Sequence, residues 1–113
     1  MKFAVIGNPI DKSLSPKLHE ILYEKLNILN CSFEKIHLEN DKLDDFFNND
    51  FGLFNGINVT IPFKSSVVKF LDTIDDEAKI LENVNCISKS NNMICGFNTD
   101  KYGFDMLLNK NGI

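Results

Sequence analysis

The chain has 113 residues, 43% of them hydrophobic and 25% charged, with ten Phe and no Trp. That size and apolar content fit one domain with a single core. A net charge of -4, with no basic patch interleaved with aromatics, argues against nucleic-acid binding.

The apolar run at residues 3–6 is too short for a signal peptide or a membrane span, so a cytoplasmic protein is expected. "KFAVIG" reads as a short buried strand ending at a glycine. "NPIDKSLSP" is a loop. The spacing then predicts a helix over residues 16–26, with Leu18, Ile21, Leu22, Leu26 and Leu29 on one buried stripe. Ser15 is placed to cap it, and Pro16 suits the first helical position. "SFEKIHL" is a second strand of weaker pattern, and "KLDDFFNN" a short helix with Leu43, Phe46 and Phe47 inward. "FNGINVTI" is the third strand. A helix is expected to start at Pro62, burying Phe63, Val67, Phe70 and Leu71.

"DTIDDEAKIL" reads as another short helix, with Asp75, Asp76 and Glu77 in its first turn, where negative charge suits the dipole. "VNCISKS" and "NMICGFN" flank Asn91 and Asn92 and predict a β-hairpin. A last helix is expected over residues 101–109, with Phe104, Leu107 and Leu108 inward. The class that follows is α/β: a mixed, mostly parallel sheet, flanking helices on both faces and a C-terminal hairpin. Cys31, Cys86 and Cys95 are odd in number and form no CxxC. Reduced, mostly buried thiols are therefore expected rather than a disulfide framework or a zinc site. Cys86 facing Cys95 across the hairpin is the alternative.

In open α/β sheets, ligands gather beyond the carboxyl ends of strands, near helix N-termini. Four polar clusters fall at such points: Ser13 with Ser15; Asn58, Thr60 and Lys64; Asn85; and Asn98, Thr99 and Asp100. Each has a plain reading. Ser15 and Asp100 are helix caps, the Asn residues serve turns, and Lys64 sends its head to solvent. Each also has a chemical one. Two hydroxyls beside free backbone N–H groups suit a carboxylate or phosphate. A lysine in a helix's first turn opposes the dipole, which lowers its pKa and suits it to proton transfer. Asp100 would hold that lysine if the fold brings the two together, which their spacing of 36 residues does not decide. The neutral hydrogen-bonding residues suit a polyhydroxylated ligand. His19 and His37 lack ligand partners at metal-binding spacing, so both read as structural or surface residues and no metal is expected. "GNPIDK" after the first strand is not GxGxxG.

In this order and spacing, "VIGNPIDKSLSPKLH", "GINVTIPFK", "VNCI" and "GFNTDKYGF" resemble the substrate-binding domain of the shikimate dehydrogenase family, across essentially the whole chain. The resemblance implies that Ser13 and Ser15 bind the substrate carboxylate and that Asn58 and Thr60 line the pocket. It implies that Thr60, Asn85 and Asp100 bond the ring hydroxyls. Lys64 and Asp100 match the family's catalytic pair. The implied reaction is reversible reduction of 3-dehydroshikimate to shikimate with NADPH, in aromatic amino-acid (chorismate) biosynthesis. Lys64 would give a proton to the carbonyl oxygen, with Asp100 orienting it. Cys86 stands where the family usually has Thr, and Lys101 where Gly is common. These changes bear on packing, turn geometry and the charge beside Asp100.

Family members continue into a Rossmann domain that carries the nicotinamide site. The resemblance therefore implies that residues 1–113 are one substrate-binding domain, with 101–113 a helix leading toward an NADP-binding domain absent from this chain. Alone, the chain is expected to bind shikimate weakly and to catalyse no hydride transfer. Apolar surface left uncovered would favour a homodimer or self-association. The alternatives are a quinate-using relative or a stand-alone binding module for a small hydroxylated acid.

Overall fold

β1 (Lys2–Gly7) takes an inner position in the sheet because Ala4, Val5 and Ile6 bury side chains on both of its faces. The computed structural model describes residues 1–100 together with Met106, Asn109 and Lys110. β2 (Ser32–His37) and β3 (Gly56–Val59) flank β1, both parallel to it. β5 (Cys86–Ser90) runs antiparallel to β3, and β6 (Met93–Phe97) antiparallel to β5. β4 (Thr73–Ile74) closes the far edge, parallel to β6. The six strands lie in the order β2-β1-β3-β5-β6-β4, a mixed sheet whose pairings are mostly parallel. Asn91 and Asn92 form the hairpin turn with φ of 51° and 64°, the left-handed region that Asn tolerates.

Register decides what each face carries. Ala4 faces Ile57, Ile6 faces Val59 and Ile57 faces Ile87, so one face presents an unbroken apolar patch. Leu43, Phe46, Phe51, Phe54, Phe63, Val67, Ala78 and Val84 pack on it as the core. Leu43 to Leu53 supply much of it through one irregular helical run. α2 (Leu43–Asp45) is entered by a 3-10 turn and leaves through a π turn, Phe46–Asp50, and a 3-10 turn, Phe51–Leu53. The changes of pitch set Phe46, Phe51 and Phe54 around one aromatic cluster, with Phe46–Phe51 centroids 6.4 Å and Phe46–Phe54 centroids 6.2 Å apart.

The opposite face is covered differently from expectation. α1 (Ser15–Lys25) forms where predicted, but none of its residues is buried. Leu18, Ile21, Leu22, Leu26 and Leu29, read as a buried stripe, are all exposed. The helix rests mainly on β2 through aromatic contacts: the His19 ring stacks on Phe33 at 4.0 Å and meets Tyr23 edge-on. His19 is thus structural, and burial lowers its pKa. An apolar trough of about 350 Å³, lined by Phe3, Tyr23, Ile28 and Phe33 among others, lies between α1 and the sheet.

Three further readings need correction. Pro62 does not start a helix. The Ile61–Pro62 peptide is cis, and Phe63 N–H donates to Thr60 O at 3.0 Å, closing a turn. Only Ser66–Phe70 is helical, as a 3-10 segment, and its run of Ser and Val favours no longer helix. Phe63 and Val67 are buried as expected; Phe70 and Leu71 are half-buried. Residues 73–74 pair as β4, and α3 (Asp76–Leu81) starts later, with Asp75 outside its first turn as the cap, accepting from Ala78 N–H at 2.8 Å. The three cysteines are free but half-buried rather than mostly buried. Cys95 faces Ser88, and Cys86 faces Phe97. Of the helix expected over residues 101–109, Met106 and Asn109 are helical; Phe104, Leu107 and Leu108 lie outside the described residues.

Among the described residues no helix is long and apolar enough to cross a membrane. The uneven covering of the two faces has a measurable consequence. Phe46→Ala, in the filled face, is expected to cost about 3–5 kcal/mol. Leu22→Lys, on the exposed side of α1, should stay within about 0.5 kcal/mol. Chemical denaturation of the two variants checks this; equal losses would mean that α1 is buried in solution.

Candidate active site

Gly7, at the carboxyl end of β1, and Val59, at that of β3, mark one end of the sheet. Because β5 is antiparallel to β3, its entry point, Asn85, lies at the same end. Because β6 is antiparallel to β5, residues 98–100 leave the sheet there too. α1 is entered from the loop after β1, which brings Ser13 and Ser15 to this end as well. Four polar clusters spread over 88 residues of sequence thus converge by topology.

Backbone hydrogen bonds fix them. Thr60 N–H donates to Ile6 O at 3.0 Å and Asn8 N–H to Ile61 O at 2.9 Å, locking the turn after β3 to the end of β1. The approach is close: a Cβ on Gly7 would collide with Thr60 Cγ2 and sit 3.2 Å from Ile61 O, so any side chain there would force Thr60 to move. Val84 N–H donates to Lys64 O at 2.8 Å, Val59 N–H to Asn85 O at 2.8 Å, and Asn85 N–H to Phe97 O at 3.0 Å. The segment after α3 therefore braces both the Lys64 turn and the exit of β6.

Lys64 Nζ donates to Asp100 Oδ2 at 2.7 Å. Asn85 Nδ2 donates to Asp100 Oδ1 at 2.7 Å and to Thr99 Oγ1 at 3.0 Å, while Asn85 Oδ1 accepts from Thr99 N–H at 3.0 Å. Both carboxylate oxygens are thus engaged. The Lys64 ammonium, directly bonded, holds the Asp100 carboxyl below the ordinary carboxylate range; its charge and the Asn85 amide add to this, and partial burial opposes it. The lysine side chain is 27% exposed and the aspartate 54%. One of the three lysine N–H groups goes to Asp100, leaving two that can reach a ligand oxygen. The Asn85 amide spends both N–H groups on Thr99 and Asp100, so what it can still offer a ligand is an oxygen lone pair.

A cleft of about 290 Å³ is lined by Ser15, Asn58, Thr60, Lys64, Asn85 and Asp100, with Val5, Val59, Cys86 and Thr99. Ser13 lines an adjoining cleft of about 340 Å³, which shares Val5, Ser15 and Thr60 with the first. Eight of the nine residues in the four polar clusters therefore line these two adjoining clefts. Some local expectations differ. The residue before α1 is Leu14, not a capping Ser15, and the Ser13 hydroxyl accepts from Ser15 N–H at 3.3 Å. Lys64 sits in a turn two residues before the 3-10 segment rather than in a helix's first turn. Asn98 does not line the cleft; it is buried. Cys86 and Thr99 do line it. Asn58 pairs directly with Cys86 across the strands, on the face that also carries Val5. Burial pushes the Cys86 thiol up, so it lines the cleft as a neutral group.

The matching family model is the shikimate dehydrogenase substrate binding domain, over residues 5–87. The chain belongs to the shikimate dehydrogenase family. It is 45% identical over 109 residues to a NADP(+) shikimate dehydrogenase of Pelagibacter ubique, covering 96% of this chain and 41% of that one. Against the corresponding Bacillus subtilis enzyme the figures are 38% over 103 residues, 90% and 36%. The chain thus spans about two fifths of the length of the curated relatives it matches. Its fold superposes on the Thermus thermophilus shikimate 5-dehydrogenase, solved in complex with NADP(H) and shikimate, with TM-score 0.90 and 34% identity, covering 100% of this chain and 43% of that one. The same fold, at 22% identity and TM-score 0.90, occurs in a 5-ketofructose reductase of Gluconobacter, covering 97% of this chain and 40% of that one.

The Asp100 carboxyl sets a pH limit on the site. Its folded pKa lies below its unfolded value, so the ion pair's contribution to stability is fully present above pH about 4. It fades as pH falls through the folded pKa. An NMR titration following the Asp100 carboxyl carbon should give a midpoint below the ordinary aspartate value of about 3.9. A midpoint at or above that value would refute the pairing.

Proposed function

We propose that the cleft binds shikimate and 3-dehydroshikimate, and that the chain forms the substrate-binding and proton-transferring part of an NADP-dependent shikimate dehydrogenase. The observation that carries this reading is the Lys64–Asp100 pair, held at 2.7 Å beside Asn58, Thr60 and Asn85. It is an acid–base group in a cleft of polar, mostly neutral walls. The Ser13 and Ser15 hydroxyls at the adjoining end suit the substrate carboxylate. Thr60, Asn85 and Asp100 suit ring hydroxyls, with Asn85 as an acceptor.

In this reading Lys64 holds a proton at the substrate oxygen that changes between carbonyl and hydroxyl. It gives the proton up on reduction and takes it back on oxidation. Asp100 keeps the ammonium aimed at that oxygen. NADP, which the relatives' names carry, would give the hydride in its reduced form and take it back in its oxidised form when bound. The turn after β1, Gly7-Asn8-Pro9, lacks the further glycines of a dinucleotide loop. In this reading the hydride donor is held mainly by residues outside this cleft, and the 113-residue chain by itself should bind shikimate without reducing NADP.

Titrating the chain with shikimate at millimolar concentration is expected to move the amide resonances of Ser13, Ser15, Thr60 and Asp100. Lys64→Met should weaken the apparent affinity roughly ten- to a hundredfold, the loss of a charged hydrogen bond. Resonances at the cleft that stay still under shikimate would overturn the reading.

A further inference from the structure

Asn98 is 5% exposed, the one buried polar residue among those described. Its side chain makes three bonds. Nδ2 donates to Asn83 O at 2.9 Å and to Asn83 Oδ1 at 3.2 Å, and Oδ1 accepts from Asp100 N–H at 2.9 Å. It thus ties the segment after α3 to the backbone that carries Asp100. That segment is itself anchored. Glu82 ends α3 in the left-handed region, Asn83 N–H returns to Ala78 O at 3.2 Å, and the fully buried Val84 holds Lys64 O. Both members of the ion pair are therefore referenced to residues 83–85: Lys64 through Val84, Asp100 through Asn85 and Asn98.

We propose that Asn98 is a positioning residue, whose buried amide fixes the Asp100 backbone so that its carboxylate meets Lys64 Nζ and Asn85 Nδ2 together. This deepens the reading of Lys64 and Asp100 as the working pair and rests on it for its functional meaning. Asn98 does not itself line the cleft and acts through Asp100. A capping role alone would affect stability and leave the ion pair intact in every folded molecule. A positioning role changes the pair in the folded state.

The test follows the Asp100 carboxyl carbon by NMR across pH in the full chain, without substrate, in wild type, Asn98→Ala and Asn98→Ser. Lys64 is the charged group facing Asp100 among the described residues, and Asn85 and Thr99 are neutral. In Asn98→Ala the Asp100 midpoint is expected to rise toward the ordinary value of about 3.9. Serine keeps an acceptor for the Asp100 N–H but is too short to bridge to Asn83, so Asn98→Ser should give part of that rise. The amide shifts of Ser13 and Thr60 report that the rest of the site is unchanged. A folded Asn98→Ala protein with the wild-type midpoint overturns the proposal. If alanine does not fold, a wild-type midpoint in folded Asn98→Ser does the same. Shikimate is absent throughout, so failure to bind it would sink the functional reading without touching this result.

Discussion

The bond between Lys64 and Asp100 is the interaction to which the other features of the site are subordinate. It joins a turn residue to a residue at a helix start 36 positions on, and nothing local in either segment directs one side chain at the other. The sheet does that. An antiparallel β5 beside β3, followed by a tight hairpin, returns the chain to the end of the sheet it has just left. Without that reversal, Asp100 would leave from the opposite end. The segment between α3 and β5 supplies the remaining alignment by giving Val84, Asn85 and Asn83 as fixed points. The pair is half-open to solvent, where an isolated ion pair is worth little. Its value is therefore in aiming a charged group, and the surrounding hydrogen bonds serve that aim.

The two faces of the sheet differ in a way that follows from register. On one, Ala4, Ile6, Ile57, Val59 and Ile87 pair with one another across β1, β3 and β5, and the irregular run through Leu43, Phe46 and Phe51 packs on them. On the other, Val5, Asn58 and Cys86 lie in one row across β1, β3 and β5, mixing apolar and polar groups toward the cleft. α1 touches that face through His19 and Tyr23 near the β2 edge and turns its leucines outward. The apolar stripe of α1 is real as a pattern, and it remains exposed among the described residues.

Much of this was readable from the residues. A short apolar run marked β1, the alternation of Ile57, Val59 and Ile61 marked β3, the paired asparagines marked the hairpin, and eight of the nine polar residues of the four clusters line the two adjoining clefts. What was not readable depended on partners far along the chain. Periodicity shows that α1 has an apolar stripe, not whether anything covers it. Pro62 after a strand suits a helix start and a turn equally, and the Thr60–Phe63 hydrogen bond decides for the turn. Thr73 and Ile74, both β-branched, form a two-residue strand only because β6 is there to pair with. Asn98 looks like any polar residue of the cluster until its burial beneath Asp100 is seen.

The central claim is that Lys64 and Asp100 act on the substrate as one unit. The most direct measurement is a double-mutant cycle on shikimate affinity, using Lys64→Met, Asp100→Asn and the pair together. The double variant should lose less than the sum of the single losses, by about 0.5–3 kcal/mol. Losses that add to within about 0.3 kcal/mol would mean that the two side chains meet the substrate independently, and would contradict the account.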